Sequence, residues 1–157
     1  MNKDYHLHKL TKEDAVPFDL LLIADETEAA IKKYINESDI YLLYSNENKK
    51  PIAVFALYKI DGNTIELKNI GVIPLFRQKG IGSYLIEKID EIARASNYTK
   101  IIVGTPDMAV NEIAFYEKNG FSKYAVKKDF FLQNYDEPVI EDGVMLRDMQ
   151  MLKKPVR

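Results

Sequence analysis

The stretch Asn69-Ile70-Gly71-Val72-Ile73-Pro74-Leu75-Phe76-Arg77-Gln78-Lys79-Gly80-Ile81-Gly82-Ser83 joins the end of a strand to the start of a long helix. Strand pairing stops at Pro74, because proline has no N–H to give to a ladder. Two glycines, Gly80 and Gly82, then flank Ile81 where the helix begins. The first turn of a helix carries unpaired backbone N–H groups and a partial positive charge. Glycines let a phosphate come close to those groups. Arg77 and Lys79 add formal charge at the same point. The stretch therefore reads as an anion cradle that a pyrophosphate fits. A Walker A loop is excluded, since the lysine precedes the glycine. A dinucleotide fingerprint is excluded too, since Leu85 stands where its third glycine would be. Taken alone, the two glycines also fit a plain loop entering a helix.

Outward from this stretch the chain alternates strands and helices. From Gly82 to Ser96, Leu85, Ile86, Ile89, Ile92 and Ala93 recur with the period of an amphipathic helix. Upstream, Ile40–Tyr44, Ile52–Ile60 and Thr64–Val72 are rich in β-branched and aromatic residues and are bounded by the polar turns Ser45–Lys50 and Asp61–Asn63. Asp61-Gly62 is a hairpin signal, so these three runs predict an antiparallel meander. Before them come a strand over Asp4–Lys9, an N-cap at Thr11 with Asp14 as its capping partner, a short helix and loop over Ala15–Ile23, and a helix over Glu26–Ile35. Downstream, Lys100–Gly104 is a short strand and Val110–Lys118 a helix stopped by Asn119-Gly120. Phe121–Tyr135 and Gly143–Leu152 read as the last two strands. A crossover helix makes Thr64–Val72 and Lys100–Gly104 parallel neighbours. The order predicts a single α/β domain over residues 1–157, with a mixed sheet and helices on both faces.

Arg77-Gln78-Lys79-Gly80-Ile81-Gly82 matches a Q/R-x-x-G-x-G/A signature, and Ala114-Phe115-Tyr116-Glu117-Lys118-Asn119-Gly120-Phe121 looks like an A-x-F-Y-x-x-x-G-F segment. Both belong to one family, and the spacing between them suits a helix, a strand and a short loop. On these residues, and on element order across nearly the whole chain, the sequence resembles the GNAT N-acetyltransferase superfamily. The resemblance implies a mostly antiparallel sheet of about seven strands with a splayed central pair. It also implies acetyl-CoA as cosubstrate and acetyl transfer to an amine. The pantetheine arm would lie between the strands matching Thr64–Val72 and Lys100–Gly104, bonded to backbone like an added strand. Val72, Ile73 and Pro74 would line it, with N–H groups from Val72 and Ile73. Arg77, Gln78, Lys79, Gly80, Ile81, Gly82 and Ser83 would hold the pyrophosphate, and Asn111 would give a polar contact to the arm.

The chemistry needs a proton acceptor and a proton donor. A free alkyl ammonium has a pKa of about 10, so the amine must lose a proton before it attacks. Glu66 is the candidate base, six residues before Val72, the offset of the catalytic glutamate in some family members. A glutamate near its ordinary pKa of about 4.3 needs burial or an ordered water for that task. The plainer reading is a polar residue on a half-exposed strand. Collapse of the tetrahedral intermediate expels a thiolate, which a phenol can protonate. Tyr116 matches the family's general acid by position; the plainer reading is a packed aromatic. A backbone N–H near Val72 would polarise the thioester carbonyl.

Composition bounds the rest. The 157 residues suit one domain. With 46% hydrophobic and 29% charged residues the chain is too apolar for a disordered one. The 24 acids against 22 bases leave a net charge of −2, which excludes a general nucleic-acid footprint. The absence of cysteine excludes a disulfide scaffold, a thiolate zinc site and a cysteine nucleophile. Met1 to Leu10 lacks the apolar stretch of a signal peptide, and the longest apolar run, Leu20–Ala24, is too short for a bilayer. The expectation is a cytoplasmic protein without membrane or nucleic-acid partner. His6 and His8 share a strand face but lack a third ligand, so no metal is expected. Lys153, Lys154 and Arg157 read as a solvated basic tail. Asp136, Glu137, Glu141 and Asp142 in the loop 136–142 either steer a cationic acceptor or form a solvated turn. The expected acceptor is a small-molecule amine, such as a polyamine or aminosugar. The alternatives are a protein N-terminus or lysine, or a coenzyme-binding sensor or partner module without catalysis. Phe130, Phe131 and Tyr135 read as aromatic surface that a homodimer would bury.

Overall fold

A computed structural model describes residues 4–47 and 49–157; residues 1–3 and Asn48, which falls in the expected turn 45–50, lie outside the described residues. In chain order the elements are β1 (Tyr5–Lys9), α1 (Phe18–Leu21), α2 (Glu28–Lys32), β2 (Ser38–Ser45), β3 (Pro51–Lys59), β4 (Thr64–Val72) and α3 (Ile81–Ala95). They continue with β5 (Lys100–Pro106), α4 (Val110–Lys118), β6 (Ser122–Lys127), α5 (Phe130–Asn134), β7 (Ile140–Glu141), β8 (Val144–Met145) and β9 (Met149–Pro155). Seven strands follow the order β1-β2-β3-β4-β5-β9-β6, and β7 pairs with β8 as a separate ribbon. The pairs β1/β2, β2/β3, β5/β9 and β6/β9 are antiparallel. This is the mixed α/β, mostly antiparallel architecture read from the sequence. No helix among the described residues is long and apolar enough to cross a membrane. The chain forms two compact units, residues 1–59 with 67–88, and residues 60–66 with 89–157.

In the first unit, Ile52 to Leu57 of β3 are buried without interruption, the mark of a strand covered on both faces. Leu21, Ile31, Ile35 and Tyr34 pack with Val54 and Ala56 into its core. The helix expected over 26–35 is shorter. It starts after Thr27, whose hydroxyl accepts from Ala30 N–H at 3.1 Å, and ends at Lys32. Tyr34 leaves the helical region at φ −126°, and a 3₁₀ turn over Ile35–Glu37 follows. No helix follows Thr11. Its N–H donates to Asp14 Oδ2 at 2.8 Å in an isolated turn, and α1 starts only after Pro17. His6 and His8 are exposed, as read; His6 stacks on Tyr44 at 5.2 Å.

In the second unit the Asp61-Gly62 turn forms as expected. Asp61 Oδ1 accepts from Asn63 N–H and Thr64 N–H at 2.8 and 2.9 Å. Of the basic tail, Lys153 and Arg157 are exposed as expected, but Lys154 is not. Lys154 lies within β9, is 4% exposed, and donates to Asp90 Oδ1 of α3 at 2.7 Å. Arg157 N–H reaches the same oxygen at 3.2 Å. The strand expected over 121–135 breaks at Asp129, which takes a left-handed φ of 54° and hands the chain to α5. The cause is distant in sequence: Asp129 N–H donates to Asp148 Oδ1 at 2.8 Å, and Phe131 N–H to Arg147 O at 2.9 Å. The strand expected over 143–152 is likewise split. Asp142 and Gly143, at φ 52° and 78°, turn β7 into β8, and β9 begins afresh at Met149. Phe131 is 4% exposed and packs with Val139 and Leu146, so this ring offers no surface to a second subunit.

Candidate functional site

The first unit carries the turn that the sequence reads as an anion cradle. β4 runs to Val72, a 3₁₀ turn over Pro74–Phe76 follows, and Arg77, Gln78, Lys79 and Gly80 are exposed before α3 begins at Ile81. Gln78 and Gly80 hold positive φ, 60° and 78°, so their backbone turns back on itself. The first bond into α3 runs from Tyr84 N–H to Gly80 O at 3.0 Å. The N–H groups of Ile81, Gly82 and Ser83 therefore precede the helical ladder and have no intrahelical acceptor. Arg77 Nε donates to Val72 O at 3.1 Å, and Lys79 Nζ lies 5.4 Å from the Phe76 ring centroid. One expected contact is corrected. Ile73 N–H donates to Ile52 O at 2.9 Å, so it has no proton left for a pantetheine arm. Pro74 has none to give.

A Cβ on Gly80 would meet nothing within 4 Å, so conformation alone demands glycine there. A side chain at that left-handed φ costs about 1–2 kcal/mol, more if β-branched. Gly80→Val is expected to weaken acetyl-CoA binding about tenfold in calorimetry, because the loop relaxes away from φ 78°. An unchanged dissociation constant would remove Gly80 from the cradle.

The second unit carries Glu66, Asn111 and Tyr116. Glu66 on β4 is 5% exposed, not half-exposed. Its charge is felt at Tyr124: that phenol is pushed up first by its own burial and then by Glu66. Tyr116 sits on the inner face of α4, 7% exposed, with Phe115 and Phe121 edge-on to its ring at 5.2 and 5.4 Å. Burial, with a smaller push from the Glu112 charge, holds its phenol well above the ordinary value, so it keeps its proton at neutral pH. Asn111 is exposed in the first turn of α4.

Asn111 also lines a cavity of about 290 Å³ between the start of α4 and the β7–β8 ribbon. Met108, Val144 and Leu146 give it apolar wall, and Glu112, Glu141 and Asp142 give it three carboxylates. Glu141 and Asp142 belong to the acidic loop singled out in the sequence; Asp136 and Glu137 do not line the cavity. Glu112 was missed, since nothing local announces that the first turn of α4 meets a hairpin some thirty residues on.

Known proteins resemble this chain in sequence and fold. The family model described as the acetyltransferase (GNAT) family matches residues 6–121. The uncharacterized N-acetyltransferase YvbK of Bacillus subtilis is 32% identical over 135 residues, 86% of each chain. A GNAT family acetyltransferase from Elizabethkingia anophelis, solved with acetyl-CoA bound, superposes with a TM-score of 0.90 at 33% identity, over 97% of this chain and 98% of that one. A Bacillus subtilis acetyltransferase in complex with CoA gives 0.85 at 28% identity, over 98% and 99%.

Proposed function

The chain belongs to the GNAT family of acetyltransferases, and on that footing we propose that it carries the acetyl group of acetyl-CoA directly to the primary amine of a small cationic acceptor. The observation that carries the donor half is the exposed, left-handed Gln78–Gly80 turn feeding the free N–H groups at the head of α3. The pyrophosphate is gripped by those groups, with Lys79 adding charge beside them. The acetyl-CoA bound in the Elizabethkingia relative supports the same choice of donor.

The amine nitrogen attacks the thioester carbonyl carbon and a tetrahedral intermediate forms. A backbone N–H at Val72 steadies its oxyanion. Glu66 takes the amine proton, directly or through one water, from its buried place on β4. The C–S bond then breaks, and Tyr116 gives its proton to the departing thiolate. The acceptor ammonium sheds one proton to bulk water before attack, and the second proton, taken from nitrogen by Glu66, returns to the phenolate, so the cycle closes with one amide, one thiol, one proton released and no net change in the protein. A binding module would have no use for a buried carboxylate on β4 and a protonated phenol on α4.

The cavity with three carboxylates supports a cationic acceptor. Among the described residues Glu112, Glu141 and Asp142 make no ion pair with a basic side chain, so their field is open to a ligand. Replacing all three with their amides is expected to raise the KM for spermidine about tenfold at low salt, with the gap closing as salt rises. The KM for acetyl-CoA should stay as it is. An unaltered spermidine KM, in a variant that still acetylates it, would turn the acceptor toward a protein N-terminus or lysine.

A further inference from the structure

β6 closes the order of the seven-stranded sheet, so no strand among the described residues pairs with its outer side. Its six residues, Ser122–Lys127, are all exposed. Its inner side pairs with β9 and carries a bulge at Tyr124. Gln150 of β9 pins that bulge: Nε2 donates to Ala125 O at 3.0 Å and to Met151 O at 3.1 Å. The outer side of an edge strand keeps alternate N–H and C=O groups available to a further strand. Charge along this edge has one sign. Lys123 and Lys127 stand on β6, Lys128 follows, Lys153 on β9 faces Ser122, and residues 122–128 hold no acid. Lys128 is paired, with Asp148 Oδ2 at 3.4 Å. Among the described residues Lys123, Lys127 and Lys153 form no ion pair. Lys153 Nζ lies 5.5 Å from the Tyr124 ring centroid, and Lys127 Nζ 5.8 Å from that of Phe130. Followed through the bulge, the register puts Lys123 on the sheet face of Leu152, and Lys127 on the face of Met149 and Lys153. Both faces of the edge are therefore positive.

Lysines on an edge strand ordinarily ward off stray strands. Against a second copy of this edge they do so, because antiparallel copies would bring lysines against lysines, and like charges across a strand pair destabilise it. To an acidic strand the same lysines are attractive. Tyr124 and Val126, 43% and 47% exposed, add apolar contact for the side chains that alternate with the acids. We propose that the outer side of β6 takes up an extended acidic segment of a partner protein as an added strand, with backbone bonded to β6 and carboxylates paired to Lys123, Lys127 and Lys153. The backbone of such a segment supplies the grip and its charge supplies the choice of partner. The docking surface lies wholly within the second unit and needs no movement of the chain.

The test follows fluorescence anisotropy of labelled peptides with the full chain. The probes are a peptide of alternating glutamate and valine, its twin with lysine for glutamate, and the acidic peptide N-methylated at alternate residues. The acidic peptide is expected to bind, and to bind about tenfold more weakly when salt rises from low to physiological strength. The lysine twin should not bind. The N-methylated peptide keeps every carboxylate but lacks the N–H groups of a ladder, so it should bind about tenfold more weakly than its parent. The double variant Lys123→Glu with Lys127→Glu should exchange the preference, losing the acidic peptide and gaining the lysine twin, a gain that a misfolded variant would not show. Equal binding of the acidic peptide and its N-methylated form would mean a charged surface without strand addition and would overturn the inference. So would an acidic peptide that fails to bind at millimolar concentration. Wild type that sediments as a dimer and binds no peptide would give the edge to a second copy, against the inference.

Discussion

Tyr116→Phe is expected to lower kcat by about 10²–10⁴-fold, the usual worth of a general acid, while acetyl-CoA affinity stays where it was. The two observables separate because the hydroxyl is spent on the leaving thiolate, whereas the ring only packs. That ring keeps Phe115 and Phe121 edge-on in the variant, so the core of the second unit should survive. The phenol is raised by burial, which gives the result a second signature. A group that ionises later in the folded chain than in the unfolded one adds stability that is full below the ordinary phenol value of 10.0 and is lost as pH rises above it. Wild type should therefore show no loss of turnover through Tyr116 ionisation below that value, and its stability should fall above it. In Tyr116→Phe the alkaline fall in stability should be smaller. Unchanged turnover would take Tyr116 out of the mechanism.

Asp90→Ala is expected to cost roughly 3–5 kcal/mol of stability, because it strands a buried ammonium. Asp90 Oδ1 accepts from Lys154 Nζ at 2.7 Å and from Arg157 N–H at 3.2 Å, and the Lys154 side chain is 4% exposed. Among the described residues, Lys154 Nζ keeps Pro155 O, at 3.2 Å, as a further acceptor. Arg94, one turn further along α3, donates to Arg157 O at 2.9 Å and tightens the same corner. In a chain of this size the loss corresponds to a Tm lower by roughly 10 °C. The double variant Asp90→Leu with Lys154→Met should recover most of it, since removing both charges leaves nothing stranded. Chemical denaturation measures both. A loss under about 1 kcal/mol in Asp90→Ala would mean that the lysine reaches water once freed.

What was legible in the sequence follows the range of the forces involved. β4 matches the expected 64–72 to the residue, because a run rich in β-branched residues stops just before Ile73-Pro74 and starts after an Asp-Gly turn, all local signals. The cradle was legible for the same reason: glycines, charge and a helix start lie within seven residues. Asp129 was not. Its left-handed backbone is held by Asp148, nineteen residues on, and no window on 121–135 contains that partner. Lys154 was partly legible. It stands two residues after Leu152, so strand alternation puts both on one buried face, and its terminal position concealed this. The resemblance gives Ile73 an N–H for the pantetheine arm, and only the folded chain shows that Ile52 O takes it. The acidic cavity needed the fold itself, because Glu112 and Asp142 meet only once α4 and the β7–β8 ribbon are in place.

The most direct measurement is a paired count of thiol released and amide formed, by mass, from acetyl-CoA and spermidine with the wild-type chain. One thiol for each acetylated amine, well above hydrolysis without amine, is the predicted result. Acetyl-CoA that binds and yields no amine-dependent thiol, with spermidine or any other primary amine, would contradict it and leave a binding module in place of an enzyme.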